Sequence, residues 1–148
     1  MRSLIAIALG VFVTTFAYGA GDLGVGGMLG NPTGVSVKKW LENDQAIDGG
    51  LGFSLGSDTN LTIHSDYLFQ STGALIFNDN QPLDLYYGLG ARFKFDDDIQ
   101  VGLRVPVGVA HTFDSRAVDI FGEVAPVFDF ISRTGIDLNI LIGGRIYF

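Results

Sequence analysis

Cysteine is absent from this chain. There is therefore no disulfide, no thiol chemistry and no lipid-modified N-terminal cysteine. Charge is scarce as well: 17% of the 148 residues are charged, against about 25% in an ordinary soluble domain. The net value of −7 has the wrong sign for nucleic acid, whose phosphates require basic patches. Long apolar runs are missing in spite of a hydrophobic content of 47%. Past the N-terminus, no uninterrupted run approaches the ~18 residues of a spanning helix. One domain is expected at this length.

What the chain has in excess is glycine, 21 residues, about twice its usual share of roughly 7%. The apolar residues are spread singly, at every second position. The last stretch, Gly135 to Phe148, shows this most clearly. Ile136, Leu138, Ile140, Ile142, Ile146 and Phe148 fall on one side; Asp137, Asn139, Gly143, Arg145 and Tyr147 fall on the other. Successive side chains of a strand point to opposite faces, so this stretch is a strand with one apolar and one polar face.

The beginning of the chain has a different pattern. Met1-Arg-Ser supplies one positive charge, Leu4 to Phe16 is an apolar core, and Ala17-Tyr-Gly19 offers small residues where a signal peptidase reads. Residues 1–19 are expected to be a cleaved secretory signal peptide, with the mature domain running over 20–148.

The alternation recurs along the mature chain. Strands are expected at Asp22–Gly30, Val35–Leu41, Ala46–Leu55, Thr59–Gln70, Leu83–Phe95, Ile99–Val109, Ala117–Phe130 and Gly135–Phe148. Asn31-Pro-Thr-Gly34, Glu42-Asn-Asp44, Gly56-Ser-Asp58 and Asp96-Asp-Asp98 read as turns. Ser71–Pro82 is the longest connection, part of which can extend the fourth strand through Leu75 and Phe77, and His111–Arg116 is a loop. Pro106 lacks a ladder donor and predicts a bulge or kink in the sixth strand. Eight strands, each near the roughly 9–11 residues of a tilted bilayer crossing, make an all-β, eight-stranded antiparallel up-and-down barrel.

Alternation alone leaves open which face is inside. A soluble lipocalin-like carrier has an apolar lumen, and a transmembrane β-barrel has an apolar exterior. Three features favour the second. Glycine crowds the polar face, at Gly24, Gly26, Gly50, Gly52, Gly88 and Gly90 among others. A narrow eight-stranded lumen gains room from such residues. The polar face also carries both signs: Lys38, Arg92, Lys94, Arg104 and Arg145 against Asp48, Asp66, Asp84, Asp119, Glu123, Asp129 and Asp137. Buried charges must pair, and a lumen network is expected from Lys38, Asp48, His64, Asp66, Asp84, Arg92, Arg104, Asp119, Glu123, Asp137 and Arg145. Finally, Tyr67, Phe69, Phe93, Phe95, Phe128, Phe130 and Phe148 lie near strand ends on the apolar face, where a membrane interface gathers aromatic girdles. Lys39 also sits on that face and would have to snorkel to the headgroups.

These features together resemble the small Gram-negative outer-membrane barrels of the outer membrane protein A transmembrane-domain type. That class implies outer-membrane lipid and the barrel assembly machinery as partners, with the last strand as the assembly signal. Ile140, Ile142, Ile146 and Phe148 match its alternating pattern, and Gly144 departs from it. The stretches Gly30–Leu41, Ala46–Gly56, His64–Leu68, Leu85–Arg92, Val101–Gly108 and Asp119–Pro126 are similar to a family of small outer-membrane barrels first noted in spirochaetes. Lys39 departs from that family, where an aromatic or apolar residue is usual. The resemblance implies a fold and a cell outer-membrane location, reached through the inner membrane by way of the signal peptide, and no established activity.

Catalytic residues are not expected. His64 and Ser65 are adjacent, so they point to opposite faces of a strand and form no dyad. His111, Asp114 and Ser115 read as solvated loop polarity, and Asp96-Asp-Asp98 as a solvated turn without a spaced ligand loop. No cofactor, metal or nucleic-acid partner is expected, and the barrel is expected to be a monomer. The reading is a structural or surface-interaction protein whose lumen is closed by charged side chains. A lipid A-modifying enzyme, a narrow pore and a lipocalin-like carrier are the alternatives. With both termini periplasmic, the two longer connections fall on that side and the outer loops are very short, the reverse of the usual arrangement.

Overall fold

A computed structural model describes residues 21–42, 44–54, 60–77, 81–113, 117–132 and 134–148. The expected signal peptide at 1–19, the expected turn at Gly56–Asp58, and Asp114 to Arg116 lie outside the described residues. Strand segments follow in the order β1 (Leu23–Gly30), β2 (Thr33–Trp40), β3 (Gln45–Ser54), β4 (Asn60–Phe77), β5 (Gln81–Phe95), β6 (Ile99–Arg104), β7 (Val107–Phe113), β8 (Val118–Ile131) and β9 (Gly135–Tyr147). Sequential strands pair antiparallel, and β1 pairs with β9, Val25 opposite Ile146, which closes the sheet on itself. Closure leaves no free edge, the general way an all-β sheet avoids unpaired strand groups.

Nine segments make eight staves, because β6 and β7 are halves of one. Both pair with β5 on one side and with β8 on the other. The break falls at Val105-Pro106, where proline has no N–H to give. The carbonyl of Pro106 still accepts from Gly88 N at 3.0 Å, and Val105 N donates to Pro126 O at 3.0 Å, so the stave stays bonded across its kink.

Two expected connections are strand. β7 runs on to Phe113, which pairs with Val118, so His111 to Phe113 is ladder and not loop. Ser71–Phe77 continues β4, and Gln81 and Pro82 open β5, as one paired ladder. The β4–β5 ladder shifts register between Ser71 and Leu75, then resumes with Leu75 opposite Leu83 and Phe77 opposite Gln81. Gly73 takes the irregular position with φ 68, a left-handed conformation that glycine adopts without a Cβ penalty. Its N–H donates to Asp84 Oδ1 at 2.8 Å. The β4–β5 and β7–β8 hairpins both turn at the end of the barrel that holds Leu23 and Tyr147. The β4–β5 ladder runs on beyond Gln45, the first residue of β3, so the wall is taller there, while Val118 of β8 stands level with Ile146 of β9.

Burial is inverted relative to a water-soluble protein. Outward residues of every stave are mainly apolar and open, among them Leu29, Phe53, Leu89, Val124, Ile140 and Ile142. The inner face is buried and largely polar, with Lys38, Asp66, Arg104, Asp119 and Asn139 at or below 1% exposure, and Met28, Leu68, Phe121 and Leu141 are among the apolar side chains buried with them. The aromatic residues fall into two groups. Phe53, Phe93, Phe95, Phe128 and Phe130 face outward toward one rim, and Tyr67, Phe69, Tyr87, Phe113 and Phe148 toward the other. Tyr67, Phe69 and Tyr87 form a continuous ring contact, with centroids 5.4 and 5.7 Å apart.

Candidate functional site

The lumen is the part of the molecule where chemistry-bearing side chains converge. Three guanidinium groups are stacked along it. Toward the rim of the Asp96–Asp98 turn, Arg92 binds Asp129 through both carboxylate oxygens at 3.0 Å, and reaches Asp137 Oδ2 at 2.8 Å and Asn139 Oδ1 at 3.3 Å. At mid-height Arg104, with 0% exposure, donates to Asp66 Oδ2 and Glu123 Oε2. The Tyr86 hydroxyl donates to the other oxygen of Glu123 at 3.1 Å. Toward the opposite rim, Arg145 donates to Asp119 Oδ1 at 3.1 Å, the Tyr147 hydroxyl to Asp119 Oδ2 at 2.6 Å, and the Arg145 guanidinium lies 4.0 Å from the Phe121 ring centre. Paired, hydrogen-bonded charge is the form in which ions tolerate burial.

Lys38 is held differently. Its ammonium donates to Gln70 Oε1 at 2.5 Å and lies 4.2 Å from the Trp40 ring centre. Gln70 in turn donates to Asp84 Oδ2 at 2.8 Å. An amide thus relays between the amine and the acid.

The inward glycines act as seats. A Cβ on Gly24 would lie 2.5 Å from the Tyr147 ring, and one on Gly143 would lie 2.5 Å from the Phe121 ring. Gly108 makes the same room for Tyr86, Gly50 for His64 and Gly90 for Asp66. Tyr147, Phe121, Tyr86, His64 and Asp66 therefore each lie over a glycine of a neighbouring stave. Gly90→Ala pushes a methyl into the Asp66 carboxylate and the Ser65 carbonyl. Overpacking of this kind costs about 1–3 kcal/mol, and a lower urea midpoint of the folded barrel is the expected readout.

All eleven residues named from the sequence as a lumen network face inward, but they do not all join one web. Asp48 makes no ion pair with a described residue, and among the described residues no donor group reaches its buried Oδ1, nor Asp66 Oδ1 or His64 Nδ1. Asp129, Gln70, Tyr86, Asn139 and Tyr147 complete bonds that the sequence reading did not assign. All five occupy the inward phase of the alternation, which was the available signal. His64 is buried while Ser65 points outward, and His111 is bonded to the carbonyl of Pro82 at 3.1 Å on the outer wall. Among the described residues, neither histidine meets both a serine and an acid.

On the outer wall an open apolar groove of about 840 Å³ crosses β1, β9 and β8. It lies between Leu29, Ile120 and Ile142, where Gly27, Gly122 and Gly144 leave the wall without side chains. Gly27 stands directly opposite Gly144 in the ladder.

Comparison with known proteins bears on the fold. No family model matches the chain, and no curated protein matches it. The crystal structure of Neisserial surface protein A is similar, with a TM-score of 0.50 and 15% identity over 85% of this chain and 93% of that one. At that identity the likeness speaks for the fold: an all-β antiparallel barrel.

Proposed function

We propose that this chain is an integral outer-membrane β-barrel with a structural or surface-interaction role and a lumen closed by ion pairs. One observation carries the reading: exposed side chains between the two aromatic groups are largely apolar, while the buried face holds Lys38, Arg92, Arg104 and Arg145 with six acids. Such a surface is unfavourable in water and suited to hydrocarbon, with aromatic girdles at the two interfaces. Lipid is the partner this surface implies. Residues 1–19 serve export, and Ile140, Ile142, Ile146 and Phe148, of which the three isoleucines face outward on β9, serve recognition by the assembly machinery. The sequence likeness to the small barrels first noted in spirochaetes belongs to the same reading. So does the word "surface" in the name of the similar Neisserial protein.

Against a pore stands Arg104, wholly buried between Asp66 and Glu123 at mid-lumen. Against an enzyme stands the separation of His64 from Ser65 by the sheet itself. Against a lipocalin-like carrier stands the polar lumen. Membrane fractionation followed by electrophoresis of boiled and unboiled samples tests the reading. The chain should fractionate with outer membrane and migrate differently unboiled, since a closed strand ladder resists detergent. A periplasmic chain indifferent to heating would refute it.

A further inference from the structure

Asp48 of β3 and Asp66 of β4 stand directly opposite each other, both turned into the lumen and buried. Like charges facing each other across strands repel, and burial raises the cost. The surrounding cations are committed elsewhere. Arg104 meets only Oδ2 of Asp66 and is shared with Glu123. Arg92 is bound to Asp129 and Asp137 and Arg145 to Asp119, while Lys38, which stands opposite Asp48 in the β2–β3 ladder, gives its hydrogen bond to the neutral amide of Gln70. Among the described residues, six buried acids face four buried bases, an excess of two negative charges. His64 lies beside this pair on the same face of β4, its ring seated over Gly50. One oxygen from each acid and one imidazole nitrogen lie within 4.8 Å of one another. Among the described residues no donor group reaches Asp48 Oδ1, Asp66 Oδ1 or His64 Nδ1, whose residues are 7%, 1% and 4% exposed, and the two carboxyl groups lie within hydrogen-bond reach of each other.

We propose that Asp48, His64 and Asp66 bind one divalent transition-metal ion inside the barrel, with Zn²⁺ the best-fitting probe. Three ligands of this mixed nitrogen and oxygen type suit zinc and its first-row neighbours. Calcium fits less well, because it takes about six to eight oxygens. A double positive charge equals the excess of buried acid. It also turns the repulsion between β3 and β4 into a bridge. Arg104, bonded to the remaining oxygen of Asp66, fixes that carboxylate as outer partners of metal ligands do. The inference rests on the lumen alone and holds whether or not the barrel spans a membrane.

The full chain is unfolded in urea and refolded into detergent with either EDTA or ZnCl₂, then desalted and its metal measured. About one zinc per chain is expected, with at least a tenfold loss in Asp48→Asn and in His64→Gln. Asp98→Asn, in the exposed Asp96–Asp98 turn, should retain the metal. Refolding with Co²⁺ should give visible absorption bands at one equivalent, which decides the matter on the unaltered chain if a variant fails to fold. Zinc retained equally by Asp48→Asn, or no retention and no cobalt bands in the unaltered chain, overturns the proposal. So does a higher urea midpoint for Asp48→Asn with no zinc dependence in the unaltered chain, since a shared proton would then be what holds the two acids together.

Discussion

Replacing Arg104 by methionine should destabilise the barrel by about 3–5 kcal/mol, the usual cost of breaking a buried ion pair from one side. Methionine keeps most of the side-chain length, so little of that cost is cavity. The loss comes from Asp66 and Glu123, both buried, which would share a lumen with no cation between them. A second expectation separates charge from shape. In the triple variant Arg104→Met, Asp66→Asn, Glu123→Gln the stranded charges are gone, and most of the lost stability should return. Buried ion pairs are often replaceable as a unit while being intolerant of single deletions. Equilibrium unfolding in urea of the detergent-refolded chain measures both. A loss below about 1 kcal/mol in the single variant would mean that water reaches Asp66 and Glu123, and the closed lumen would have to be abandoned.

Gly90→Ala disturbs the same spot by a different force, which ranks the two effects. The methyl presses on the carboxylate that Arg104 holds and on the Ser65 carbonyl of the facing strand, a steric strain that the two staves relieve by moving apart at the overpacking cost of about 1–3 kcal/mol. Removing Arg104 leaves a charge imbalance that no local shift relieves. The electrostatic lesion should therefore be the larger, and Arg104 the single residue on which the middle of the lumen most depends.

The barrel was legible because its two faces obey one period throughout. In β9 every even residue from Ile136 to Ile142 is open and apolar, and Asn139, Leu141, Arg145 and Tyr147 are buried, as alternation requires. Pro106 marked the kinked stave by its missing donor. The same period also explains the misses. Leu75 and Phe77 keep their phase beyond Gln70, so an extension of the fourth strand was open to the sequence, and the ladder to Leu83 bears it out; the matching start of β5 at Gln81 and Pro82 was not read. His111 and Thr112 looked like loop polarity because cross-strand partners at Ile120 and Asp119 are invisible in one dimension. At the site, phase told which side chains point inward but not which pairs meet. The Asp48–Asp66 opposition depends on the β3–β4 register, and register is fixed by turns whose geometry the sequence states only loosely.

The decisive property of the outer wall is its solvent, and one substitution at mid-height should report it. Val124 lies near the middle of β8, faces outward at 45% exposure and pairs with Ile140 on β9 and Val107 on β7. No polar group stands among these neighbours, and both aromatic groups are at the rims. An arginine there, in hydrocarbon, should cost about 2–4 kcal/mol, the range for a basic residue at the midplane of a barrel. In water the same change would replace an open apolar side chain by a charged one and alter stability by about 0.5 kcal/mol or less. Snorkelling gives little relief, because an arginine at mid-height is far from either headgroup layer. Lys39 supplies the internal contrast: it is also outward, but pairs with Leu23 at the end of β1, near the rim. Lys39→Leu should therefore be close to neutral while Val124→Arg is severe. Both are read by urea unfolding from phospholipid vesicles. A Val124→Arg barrel as stable as the parent would place this wall in water and reverse the membrane reading.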